Sequence, residues 1–135
     1  MHANPEQQVD LFLELGSLFF AGADYKSAIS SFDKALQFKP DNYLAWYNRG
    51  VALAKLGHHD EAISSYDKAL NFKPDQDQAF YNKACCYALQ ANPEAAVDNL
   101  KHAIALEPER YQKMAKTDSD FDLIRDHEAF QALLT

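Results

Sequence analysis

Cysteine is nearly absent from this chain: Cys85 and Cys86 are its whole complement, and they are adjacent. A disulfide framework is thereby excluded, and the missing two-residue spacer excludes a CxxC redox motif. Glycine is scarce too, with four in 135 residues, which leaves few of the strained loops on which active sites are often built. There is no Gly-rich phosphate loop, no HExxH and no Ser/His/Asp arrangement. The residues therefore point away from an enzyme, and they imply no cofactor. Cations are outnumbered, 13 Lys and Arg against 20 Asp and Glu, for a formal charge of −7. Binding to nucleic acid needs the opposite excess, and so does adhesion to an anionic membrane. No apolar run approaches the roughly 20 residues that span a bilayer, so membrane insertion is not expected. The start, Met1 to Glu6, has no basic stretch followed by an apolar one and does not read as a secretory signal. A reducing cytoplasm is the expected compartment.

What the chain does have is a repeat. Pro40, Pro74 and Pro108 are 34 residues apart, as are Ala35, Ala69 and Ala103, and Ala28, Ala62 and Ala96. Ala28 to Leu36 returns almost unchanged as Ala62 to Leu70. Three units follow, 9–42, 43–76 and 77–110, between a lead-in at 1–8 and a tail at 111–135. Each unit reads as two helices. Trp46, Gly50 and Leu53 fall on one stripe of a 3.6-residue period. Gly57 and His58 break that helix, Ala62, Tyr66, Ala69 and Leu70 form the next stripe, and Pro74 marks its exit. Gly16, Gly50 and Ala84 are expected where two helices cross closely, with Ala28, Ala62 and Ala96 facing them. Asn4 reads as an N-cap and Pro5 as the first helical residue.

These residues resemble the tetratricopeptide-repeat family. Its pattern of a large aromatic, Leu-Gly, an aromatic, Ala, an aromatic, Ala and Pro is met by Phe12, Leu15-Gly16, Phe19, Ala28, Phe32, Ala35 and Pro40. The second unit offers Trp46, Arg49-Gly50, Leu53, Ala62, Tyr66, Ala69 and Pro74. The third, with Phe80, Lys83-Ala84, Tyr87, Ala96, Leu100, Ala103 and Pro108, departs furthest. The resemblance covers residues 9 to 110. It implies an all-α, right-handed superhelical solenoid of antiparallel helix pairs with C-terminal capping helices. The tail also resembles one that follows the last repeat in many prokaryotic members. A helix from Glu109 to Lys116 is expected there, with Tyr111 and Met114 on its apolar side. A turn at Phe121 to Arg125 and a short helix from His127 to Leu134 follow, and Phe121, Ile124, Phe130 and Leu133 are expected to seal the core.

The family's groove-facing places imply a binding face lined by the first helix of each unit. Carried onto this chain they are Asp10, Leu13, Glu14, Ser17, Phe20 and Ala21, then Leu44, Tyr47, Asn48, Val51, Ala54 and Lys55, then Gln78, Tyr81, Asn82, Cys85, Ala88 and Leu89. Tyr47 and Tyr81 would form one wall, with flat apolar area and a polar tip, and Trp46 would lie buried behind it. Asn48 and Asn82 carry donors and an acceptor suited to a peptide backbone. The carboxylate clamp with which some members grip an acidic chain end would need cations and Asn at Leu13, Ser17, Asn48, Gln78 and Asn82. Only Asn48 fits, so that function is not expected.

Other constellations carry less. Asp118, Asp120 and Asp122 begin like a calcium loop, but Leu123 and Ala129 stand where Gly and Glu are required. An N-cap suits them better. His58-His59-Asp60 reads as a surface turn. No metal site is expected. The function implied is a scaffold or adaptor that holds a peptide or helix of another protein. Two alternatives remain: a self-associating or assembly protein, and a regulatory portion of a larger chain.

Overall fold

The computed structural model describes residues 4–135, so the lead-in before Asn4 lies outside the described residues. The described residues divide into helices and turns, with no strand among them. The chain forms two compact units, Met1–Pro74 and Asp75–Thr135.

The first unit holds α1 (Pro5–Ala21), α2 (Tyr25–Phe38), α3 (Tyr43–Lys55) and α4 (His59–Phe72). Three of these four starts have a side-chain cap. Asn4 accepts from the Gln7 amide at 2.8 Å while Gln7 Oε1 accepts from the Asn4 amide at 3.0 Å, a reciprocal cap. Asp24 caps α2 through Ser27, and Asn42 caps α3 through Ala45. The turn within each helix pair returns in register: Ala23, Gly57 and Ala91 all take positive φ, at 60°, 79° and 56°. Only the middle turn uses the residue suited to that conformation.

The close crossings lie where the sequence puts them, but the facing partner differs. A Cβ on Gly16 would run into the Phe32 ring, and one on Gly50 would stand 2.6 Å from Tyr66 Cε1. The aromatic, one turn beyond the expected alanine, is what the glycine admits. Phe32 and Tyr66 are each fully buried, and Ala28 and Ala62 are buried beside them. Trp46 is another correction. It is half-buried at the flank of its pair, because its Nε1 donates to the Pro40 carbonyl at 2.8 Å and its ring carries the Arg49 guanidinium at 5.8 Å. Arg49 itself ties three helices. Its Nε donates to Asp33 on α2 and its Nη1 to Ser65 Oγ on α4, both at 2.7 Å.

The second unit holds α5 (Asp77–Leu89), α6 (Pro93–Leu106), α7 (Pro108–Thr117), a 3-10 segment (Ser119–Ile124) and α8 (Glu128–Leu133). Its core is one cluster that includes Ala84, Leu100, Tyr111, Phe121, Ile124 and Phe130. The tail is fastened by Arg125, whose Nη1 donates to the carbonyls of Ala115 and Lys116 and whose Nη2 donates to that of Asp118. One guanidinium thus satisfies carbonyls freed at the end of α7. Tyr111 is buried and donates to Asp77 Oδ2 at 2.6 Å. Met114, expected beside it, is exposed, and Ala115 takes the inward place. Leu133 is only partly buried against the cluster.

Candidate functional site

In the first unit, α1 and α3 bring eight of the sequence-derived face residues together around two adjoining hollows. One is an open depression of about 410 Å³ lined by Asp10, Leu13, Glu14, Ser17, Leu44 and Asn48. The other is narrower, about 110 Å³, lined by Ser17, Phe20, Phe32, Asn48 and Val51. Ser17 and Asn48 belong to both. Leu13, Phe20, Asn48 and Val51 are half-buried, whereas Asp10, Glu14, Ser17 and Leu44 are exposed. The amide of Asn48 makes no hydrogen bond with the described residues, so its donors and acceptor point into a partly desolvated place unspent. Tyr47 is half-buried, with its ring 5.8 Å from that of Tyr66. It belongs in part to the packing of its own helix pair. Lys55 is exposed at the far end of α3.

The second unit treats the equivalent residues differently. Gln78 and Leu89 are exposed and Asn82 is half-buried. Tyr81 and Cys85, assigned to the face from the sequence, are core residues. Tyr81 is 4% exposed, stacks on Tyr111 at 4.9 Å and meets the edge of Phe121 at 5.7 Å. Its hydroxyl donates to Asp118 Oδ2 at 2.8 Å. The cause is the tail, whose 3-10 segment packs on α5 and covers both side chains.

That packing makes a cluster the sequence did not announce. Cys85 Sγ and one carboxylate oxygen each from Asp118 and Asp120 lie within 4.8 Å of one another. The donor set is that of a metal site, yet Asp118 is committed otherwise: Oδ1 accepts from the Asp120 amide at 3.0 Å and Oδ2 from Tyr81. The cluster therefore reads as the cap of the 3-10 segment. Burial, reinforced by Asp118 and Asp120, pushes the Cys85 thiol far above its ordinary range. Burial first and Asp120 second push Cys86 up to about 12. Both shifts run against the thiolate, which is the reactive form. His58 and His59 stand at the start of α4, where His58 makes no side-chain cap.

Family models described as tetratricopeptide repeat match residues 13–79 and 77–110. The chain belongs to the tetratricopeptide-repeat family, and its fold is an all-α solenoid of that family, a fold of protein-interaction modules. Among curated proteins it is similar to a peroxisomal targeting signal receptor of Eremothecium gossypii, with 39% identity over 60 residues. That stretch is 44% of this chain and 10% of the receptor, so the chain spans a small part of that relative's length. Among solved structures it is similar to the Arabidopsis OM64 TPR domain, with a TM-score of 0.81, 18% identity, and coverage of 92% of this chain and 99% of that one. It is also similar to the TPR2B domain of yeast Sti1, solved in a complex with pHsp70. There the TM-score is 0.77 with 23% identity, covering 93% of this chain and 98% of that one. No described helix is long and apolar enough to cross a membrane.

Proposed function

We propose that this chain is a binding module that holds a peptide or helix of another protein against α1 and α3. The observation that carries this reading is the pair of hollows joined at Ser17 and Asn48. Together they offer an apolar recess, an open floor, and an amide with its hydrogen bonds unspent at the junction. A peptide in extended or helical form needs these three things: a pocket for one side chain, room for its neighbours, and a polar group for its backbone. The similarity to a TPR2B domain solved in a complex with pHsp70 and to a peroxisomal targeting signal receptor agrees with a protein partner. The acidic chain end gripped by a carboxylate clamp is not the ligand, because Leu13, Gln78 and Asn82 stand where the clamp needs cations. The same face would serve equally in a free-standing adaptor or in the regulatory part of a longer protein. The role is to bind, not to catalyse.

The test uses peptides selected from a random display library against the intact chain. Val51→Arg should fill the recess and abolish their binding while leaving the melting temperature within a few degrees. Asn48→Ala should weaken binding by about 1–2 kcal/mol, the loss of a good interface contact. Selected peptides that bind both variants as they bind the parent would place the binding face elsewhere.

A second reading, self-association, is favoured by one feature. Leu11, Leu15 and Leu18 form a stripe along α1 and are 54%, 37% and 70% exposed. One repeat later the same places are Ala45, Arg49 and Ala52, and both alanines are fully buried. A contiguous apolar strip on a soluble protein is a contact surface in waiting. If it pairs copies of the chain, light scattering should show mass rising with concentration, and Leu18→Glu should abolish the rise. A mass constant across concentrations would end this reading.

A further inference from the structure

The polarity of α1 says more about the partner than the hollows do. The helix, PEQQVDLFLELGSLFFA, contains no Lys, Arg or His. Its three acids, Glu6, Asp10 and Glu14, are spaced four residues apart and so form one row along one face. All three are exposed, and none makes an ion pair or hydrogen bond with the described residues. Like charges at this spacing repel one another within the helix. A helix selected only for its own stability would interleave cations, and this one does not.

Two of the three acids belong to the candidate site. Asp10 and Glu14 line the open depression beside Leu13 and Leu44, which supply its apolar floor. The narrow recess next to it, about 110 Å³, is somewhat smaller than the roughly 150 Å³ cavity that accepts benzene. It therefore has room for one aliphatic side chain. The cation Lys55 is far from the acids, at the other end of α3.

We infer that the partner is a basic amphipathic segment, which seats one aliphatic side chain in the Phe20–Phe32–Val51 recess and lays Lys or Arg over Asp10 and Glu14. This rests on the reading of the two hollows as the docking site and adds the sign of the partner's charge. Exposed carboxylates contribute more to selectivity and encounter rate than to affinity. Their effect is therefore read as discrimination between peptides of opposite charge.

Short random peptides displayed on phage are the probe, selected on the intact chain. The enriched set should carry Lys or Arg beside an aliphatic residue. Binding should fall about tenfold in the double variant Asp10→Lys, Glu14→Lys, and that variant should select acidic peptides instead. Glu94→Lys with Asp98→Lys, on exposed positions of α6, carries the same formal charge and should leave binding nearly unchanged. Four results would overturn the inference. If enriched peptides have no basic bias yet are lost on Val51→Arg, the charge assignment falls and the docking site stands. If they are indifferent to Val51→Arg, both fall. If the α6 control weakens binding as much as the α1 variant does, the attraction is a general effect of net charge. If no peptide is enriched at all, neither reading survives.

Discussion

Deleting Phe121 to Thr135 should unfold the second unit and leave the helices of the first in place. Phe121 and Phe130 are fully buried and Ile124 nearly so, and burial of each such side chain contributes roughly 1.5–3 kcal/mol. A domain's whole stability is typically about 5–15 kcal/mol, so the tail supplies a share that the rest of this unit cannot replace. Phe121 also packs on Tyr81 at 5.7 Å and on Phe130 at 5.2 Å. Its loss would leave a phenol ring of α5 uncovered in water. Amide hydrogen exchange is the direct measurement: protection should vanish across α5 and α6 and persist across α1 to α4. Smaller lesions should grade the same effect. Phe121→Ala is expected to cost about 3–5 kcal/mol, as for other buried aromatics. Arg125→Ala would leave the carbonyls of Ala115 and Lys116 without their donor, while that of Asp118 keeps the Phe121 amide, at about 1–3 kcal/mol for a group that stays buried. If the truncated chain keeps protection in α5 and α6, the tail is a passenger and not a cap.

The tail also marks where the sequence stops being legible. The start of α1 could be read because it has a local chemical cause: Asn4 with Pro5 is a cap wherever the chain goes next. Close crossings could be read because Gly16, Gly50 and Ala84 return in register. The segments at Phe121 and before Leu134 could be read from their apolar residues. The path of the tail over α5 could not. Its register is set by Tyr81, Asp118 and Arg125 meeting across distances of up to 37 residues in sequence, and a period of 34 says nothing about a segment that occurs once. The repeat register therefore puts Tyr81 and Cys85 on an open face, whereas they lie under a cover. Tyr47, at the same place one repeat earlier, has no such tail above it within its own unit. Arg49 was illegible for a similar reason. It breaks the Leu-Gly pattern, and only the structure shows it bridging Asp33 and Ser65.

The pairing of glycine with aromatic yields the second large effect, and the chain has already varied it internally. Gly16 lies against Phe32 and Gly50 against Tyr66. In the third unit the equivalent places are Ala84 and Leu100, both fully buried in one cluster. A methyl on one helix thus comes with a smaller side chain on the other. Gly50→Ala alone would push its Cβ to 2.6 Å from Tyr66 Cε1, and the ring, about 1% exposed, has nowhere to retreat. Overfilling of this kind costs about 1–3 kcal/mol, while the gain in helix propensity returns only about 1 kcal/mol. Tyr66→Leu alone would leave a void above the glycine and should cost somewhat less than the roughly 3–5 kcal/mol of removing a buried aromatic altogether. The double variant copies the third unit. The new methyl then occupies part of the space the ring vacated, and the two changes should recover about 0.5–3 kcal/mol relative to their sum. Urea unfolding of the four chains measures this coupling. Additive costs would mean that Ala84 and Leu100 differ from their counterparts independently, and that the glycine does not exist to admit the ring.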